Sequence, residues 1–326
     1  MRRWASGRTD QRAERTLGAL AVAVLVLIGA MLITVLVKAW PSFAHNGLSW
    51  FGPGGDVDAQ LRAMGENKAL PGHSIYYFRA WPLIWGTLLT TVSAVLIALV
   101  VSTLAAIFLT EFAPGAIRRV LDPVIRLLAG VPSVIYGLIG ILAIAPFINN
   151  HLISNSRKAS VQYVVQLNGA DLMTATLILT VMILPIMVAI SAGALAAVPA
   201  SWREGSLALG VNRWRTIWRV SLHTARPAIV AATVLATARA LGEAVMLSML
   251  SGGRGFAPNL LDGVTFLFEP VRPLAATILQ NSEGLTIPVL AHTVYAIGAV
   301  LLVSAALLSL AGWAAKQQFK RYGIRA

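Results

Sequence analysis

Cysteine is absent from this chain, which excludes disulfides, thiolate nucleophiles and cysteine-held metals. Charge is scarce as well. Asp, Glu, Lys and Arg together make up 12% of the residues, where ordinary globular domains carry about 25%. The histidines, His45, His73, His151, His223 and His292, are scattered. None shows the His-Glu-x-x-His spacing that presents a metal pair on one helix face. No Gly-Lys dipeptide occurs, so the glycine-rich loop that cradles nucleotide phosphates is missing. No residue pattern suggests a nucleophile with its base. These gaps argue against an ATPase, a metalloenzyme or a hydrolase, and the chain is expected not to be an enzyme and to hold no metal.

What it has instead is apolar sequence in long runs. Of its 326 residues 57% are hydrophobic, and the mean hydropathy is +0.74. A membrane-crossing helix needs about 20 mostly apolar residues. Six segments reach that length: Leu17–Val37, Leu83–Leu109, Leu121–Ile148, Leu172–Val198, Ala228–Leu250 and Ile287–Ala315. The expected fold class is therefore all-α, a polytopic membrane protein with six transmembrane helices. Arg2, Arg3, Arg8, Arg12 and Arg15 precede the first segment as they would a signal peptide. Its apolar run exceeds the 7–15 or so residues of a secretory core, and no small-x-small cleavage site follows. It is read as a retained anchor.

The net charge of +13 is unevenly spread. With a cytoplasmic N-terminus, the inner segments collect 17 of the 26 Lys and Arg but only five of the 13 Asp and Glu. The side richer in Lys and Arg is the cytoplasmic one, so both termini are expected there, in an inner or plasma membrane. The basic balance reports topology and anionic lipid. Nucleic-acid binding would need a clustered basic face with base-reading groups, and none is present.

Several interruptions stand out. The stretch Trp40–Ala80, with "FGPGGD" and "LPGH", reads as an external loop too short for an independent domain. Inside the third segment, "LAGVPSVIYGLIG" places Pro132 among Gly130, Gly137 and Gly140, which predicts a kink or a discontinuity there. Glu111 is expected to be offset by Arg118 and Arg119, and His292 and Tyr295 to be packed within the sixth segment. Between the fourth and fifth segments lies "WREGSLALGVNRWRTIWRVSLHTARP", residues 202–227. It reads as two short helices about a turn at Gly210, with Trp214, Ile217, Trp218 and Leu222 at helical spacing. An interfacial amphipathic helix is one reading of it.

Glu204, Gly210 six residues on, and then Val220 and Leu222 resemble the coupling loop of ABC-importer permeases, Glu-Ala-Ala-x3-Gly-x9-Ile-x-Leu-Pro. Gly205 and Ser206 stand where that pattern has alanines, Val220 where it has isoleucine and His223 where it has proline. With "WPLIWGTLLTTV", "LLAGVPSVIYGLIG" and "ARALGEAVMLSMLSGG", residues 80–315 resemble the membrane subunits of the phosphate-specific importer, the PstC type more than the PstA type. The resemblance implies a type I ABC importer permease fold. It divides the chain into a basic tail (1–16), the first helix with its external loop (17–80), a permease core (81–315) containing the coupling loop (200–223), and a second basic tail (316–326). It assigns Glu204, Gly205, Ser206, Leu207 and Gly210 to docking on an ATPase subunit. The implied partners are a cytoplasmic ATPase dimer holding ATP and magnesium, a second permease subunit, an extracytoplasmic phosphate-binding protein and membrane lipid.

One pair of charges remains. Arg239 and Glu243 sit in the middle of the fifth apolar segment, one helical turn apart if that helix is continuous. Charge at that depth costs several kcal/mol, roughly 2.5–3.5 on insertion scales. Two readings stay open: an ion pair that locks helices together, or a station in the path of an anion. A guanidinium donates two parallel hydrogen bonds to an oxyanion, and in the resembled family this pair is implicated in phosphate passage. Rival substrates at this stage are sulfate, molybdate and phosphonate, and a rival class is an ion-coupled carrier or channel.

Overall fold

The computed structural model describes residues 8–161, 163 and 166–321. The expected basic tails 1–16 and 316–326 lie partly outside the described residues. Within them the chain is helical. Helix α1 spans Arg8–Asn46 and α2 spans Val57–Gly65. Helix α3, Trp81–Ile107, runs on through a π-helical turn to Phe112. Then come α4 (Gly115–Ala129), α5 (Ser133–Ile139), α6 (Ala145–His151) and α7 (Asn155–Val161). The rest comprises α8 (Leu172–Ala196), α9 (Ala200–Ala208), α10 (Arg213–Thr216), α11 (Leu222–Leu241), α12 (Val245–Leu250), α13 (Leu274–Gln280) and α14 (Pro288–Arg321).

Five stretches are long and apolar enough to cross a membrane: Ala13–Phe51, Trp81–Phe112, Ser133–His151, Leu172–Ala196 and Pro288–Ala314. Their outward faces carry bare Leu, Ile and Val, as on Leu25, Val26, Leu96, Val100 and Leu307. Such surface is stable only against hydrocarbon or another apolar helix. Where helices meet, the residues are small. Helix α3 lies on α8 through Ala94, Ala98 and Ala175, and Thr180 Oγ1 donates across the gap to the Ala94 carbonyl at 3.4 Å. Small side chains let backbones approach, which supplies the packing energy that the hydrophobic effect cannot provide inside a bilayer.

Two expected segments differ from the sequence reading. Leu121–Ile148 is not one helix. It opens inside α4, whose side chains are all at least partly exposed, and breaks at Gly130–Pro132 before α5. In α4, Ile117, Val120, Val124 and Leu127 share one face and Arg118, Asp122 and Arg126 another, the pattern of a helix lying along an interface. Pro132 cannot donate a backbone hydrogen bond. The Tyr136 hydroxyl folds back over the break to donate to the Leu128 carbonyl at 2.9 Å. Ala228–Leu250 is also split: α11 stops at Leu241, and α12 starts at Val245.

The two ends of the molecule are built differently. At one end, Trp50 and Phe78 are fully buried with Val57, Leu61 and Met64 against the start of α14. The expected loop Trp40–Ala80 is therefore a packed cap containing α2. His292 and Tyr295 belong to this region: Nδ1 of His292 is 3.3 Å from the Tyr76 hydroxyl, and Lys38 sits over the Tyr295 ring. At the other end, α9 and α10 close under α3 and α8 around Ile217 and Leu195.

Candidate functional site

The two helix breaks meet. Helix α12 packs against α5, and the glycines of the Pro132 stretch make that possible. A Cβ at Gly137 would lie 2.9 Å from Met249 Sδ, and one at Gly140 would lie 2.6 Å from Leu250 Cδ1. Arg239 stands in the last turn of α11, half-buried, and Glu243 in the gap that follows. Glu243 Oε1 accepts from the Met246 amide at 3.1 Å, so this carboxylate caps α12. A single helical face shared by the two charges is thus not observed, because the helix ends between them. Among the described residues no carboxylate lies within ion-pairing distance of the Arg239 guanidinium. The Tyr136 phenol is within its electrostatic reach. Arg239 therefore stands at the end of an interrupted helix, an arrangement membrane proteins tolerate where it faces protein or a cavity.

At the opposite end from Trp50, the expected two-helix turn is present. Gly210 has φ +78°, a left-handed conformation that glycine adopts without strain, and it links α9 to α10. Asn212 caps α10, accepting from the Arg215 amide at 2.8 Å. Ser206 Oγ is 2.9 Å from Thr216 Oγ1, tying the two short helices together. Glu204, Gly205 and Leu207 face outward beside the exposed Trp202, Leu209 and Trp214. A Cβ at Gly205 would meet nothing within 4 Å. Among the described residues nothing requires a small side chain there.

Glu111 anchors this end, though not to the residues expected. Arg118 pairs with Asp122 at 3.5 Å, one turn along α4. Glu111 instead accepts from Arg203 of α9 at 3.0 Å, while Arg213 of α10 donates to the Glu111 carbonyl and covers the Phe112 ring. One acidic residue at the foot of α3 holds both α9 and α10. Sequence alone could not reveal this, since the partners are 92 and 102 residues away.

The Trp50 end holds two more groups that sequence reasoning missed. Asp171 caps α8 by accepting from the Thr174 amide at 2.8 Å, yet it is buried. Burial, the largest influence, pushes its carboxyl up to about 6 against the hydrogen bonds that favour the charge. Asp58 of α2 lies 2.7 Å from Arg272 and 4.0 Å from Arg254. Burial works against the Arg272 charge, and Asp58 offsets part of it.

Comparison with known proteins gives these features a common setting. Residues 98–317 match the family described as binding-protein-dependent transport system inner membrane component. The chain is 34% identical to the probable ABC transporter permease protein YqgH of Bacillus subtilis, over 94% of this chain and 92% of that protein. It is 32% identical to the phosphate transport system permease protein PstC 1 of Mycobacterium tuberculosis, over 92% and 90%. With the phosphate transport system permease protein PstC of Mesorhizobium japonicum the identity is 30%, over 90% and 86%. The helical architecture, the paired helix breaks and the exposed turn at Gly210 accompany a match across two thirds of the sequence, and the chain belongs to the binding-protein-dependent transport system inner membrane component family.

Proposed function

We propose that this protein is the membrane-spanning permease subunit of an ABC importer that carries inorganic phosphate into the cytoplasm. The observation that carries the coupling half of this reading is the Gly210 turn. It presents Glu204, Gly205 and Leu207 on an apolar surface, rimmed by Leu209 and Trp214, that this chain leaves uncovered. Gly205 is small for no internal reason, which fits a surface shaped to enter a groove on another subunit. Phosphate as the cargo is supported by the PstC relatives, which align along nearly their whole length.

In this reading both termini and the Gly210 turn are cytoplasmic, the Trp50 cap is external, and an ATPase dimer docks on α9 and α10. ATP and its magnesium are held by that ATPase, and this chain hydrolyses nothing. A second permease subunit completes the path, and an external binding protein delivers the anion. Arg239 is the mid-membrane station: its planar fork suits two phosphate oxygens. Glu243 keeps α12 capped beside it and contributes a negative charge, so that the anion is held weakly enough to leave. Uptake of labelled phosphate by cells carrying Arg239→Ala with Glu243→Ala, at verified membrane levels, tests this. Loss of uptake by at least about a hundredfold is expected, since two charge-assisted contacts are removed. Unchanged uptake would dismiss the station.

A further inference from the structure

Behind the external cap lies a polar cavity of about 460 Å³ that the transport reading does not use. Asp58 and Arg62 of α2, Arg254 and Arg272 of the segment before α13, and Gln280 and Asn281 at the end of α13 line it. Two of these guanidinium groups, those of Arg254 and Arg272, share the Asp58 carboxylate. Asp58 is 2.7 Å from Arg272 Nη1 and 4.0 Å from Arg254 Nη1. Arg62 lies on the same cavity and makes no ion pair among the described residues.

The architecture holds these charges in place. Gly252, at φ +81°, lets the loop turn where a Cβ would come within 2.4 Å of Pro270 and 2.6 Å of the Ala170 carbonyl. Val271 then donates to the Ser251 carbonyl at 2.7 Å. Arg272 also donates to the Gly253 carbonyl. Among the described residues neither its Nε nor Asp58 Oδ1, both buried, has a hydrogen-bond partner. Buried donors left unpaired cost free energy and are uncommon. Three arginines against Asp58 and the neighbouring Asp56 leave an excess of positive charge, which with an orphan donor and side-chain amides nearby favours a small oxyanion. At roughly 30 Å³ per water, the cavity has room for such an ion with part of its hydration shell.

We propose that this cavity is an outer oxyanion site, a station at which a phosphate ion is held before it enters the membrane path at Arg239. Asp58 offsets the mutual repulsion of Arg254 and Arg272 when the site is empty and competes with the anion when it is full. The inference rests on the phosphate reading for the identity of the anion. The same chemistry is offered by free inorganic phosphate and by a lipid headgroup phosphate, and the path argues for the free ion.

The test is equilibrium binding of radiolabelled inorganic phosphate, with sulfate in parallel, to the full-length chain in lipid-free detergent. Arg62 and Arg254 are exposed, so Arg62→Gln with Arg254→Gln should leave the fold intact, as thermal unfolding would verify. Losing two charge-assisted donors should weaken phosphate binding about a hundredfold. Arg118→Gln, at an exposed arginine of α4 that lies outside both stations, should leave this binding within about twofold. Equal binding by wild type and the double variant, or none by wild type, overturns the proposal. So does binding that disappears in phosphatidylglycerol nanodiscs, since a headgroup is then the occupant. Sulfate bound in place of phosphate, and lost in the double variant, keeps the site and overturns phosphate as the cargo. Normal phosphate uptake with no binding here does the reverse.

Discussion

A carboxylate that caps a buried helix start is favoured by the amides it accepts from and disfavoured by the water it loses. At Asp171 the second effect is the larger, and the carboxyl titrates near 6 in the folded protein rather than at 3.8. Between those values the folded state binds a proton that the unfolded state has released, so stability falls as pH rises through the window from 3.8 to about 6. Below that window both states are protonated and the loss is absent. Asp171→Asn keeps an oxygen for the Thr174 amide and removes the charge. Thermal unfolding in detergent should show the wild-type midpoint declining across that window and the variant declining less. Parallel curves would mean that Asp171 is ionised at no unusual cost. Arg239 is the contrasting residue: its charge has no carboxylate partner in ion-pairing range among the described residues. That leaves it available to an anion in a way that a closed ion pair would not be.

Helices α9 and α10 illustrate how single contacts become element behaviour. Helices α9 and α10 are held to α3 through Glu111, which is paired with Arg203, while Arg213 reaches the adjacent carbonyl. In Glu111→Gln the amide can still accept, but the charge that pairs with Arg203 is gone, while Arg213 keeps its backbone carbonyl. ATP hydrolysis by the assembled transporter should persist while phosphate uptake per ATP falls about two- to tenfold, in line with a lost charge-assisted bond. Uptake and hydrolysis falling together would instead indicate a docking defect. Gly205→Leu supplies that contrasting phenotype. Space around Gly205 is open, so the isolated chain should keep its thermal midpoint while ATPase recovery on co-purification drops several-fold, by a clash at the interface alone. Retained ATPase would show that this surface is not the docking face. The Gly210 turn was legible in the sequence because glycine with flanking caps is a local signal, and so was the Pro132 break. The amphipathic α4 was not: its apolar face merges with the following span in any average of hydrophobicity, and only the alternation of Ile117, Val120 and Val124 with Arg118 and Asp122 distinguishes it. The stop of α11 at Leu241 was also missed. Gly242 alone is tolerated within helices, and it is the packing of α12 on Gly137 and Gly140 that favours the break.

Over the whole molecule, chemistry is sorted by depth. Acidic and basic groups gather at the two ends, Asp58 with Arg272 at one and Glu111 with Arg203 at the other, while Arg239 and Glu243 stand at the break between α11 and α12. This order has a transport meaning only if the Trp50 end is external, which the distribution of Lys and Arg predicts. The natural absence of cysteine makes that expectation directly testable, because any introduced thiol is unique. Ser74 lies exposed in the cap, and Ser201 lies exposed on α9. A membrane-impermeant maleimide applied to intact cells should label Ser74→Cys and spare Ser201→Cys, which should react only after permeabilisation. Among the described residues neither serine side chain makes a hydrogen bond, so both variants should assemble and transport normally. The opposite labelling would place Glu204 and Gly210 outside the cell, out of reach of any cytoplasmic ATPase. It would also put the arginine-lined cavity on the inner face, where an arriving anion could not use it.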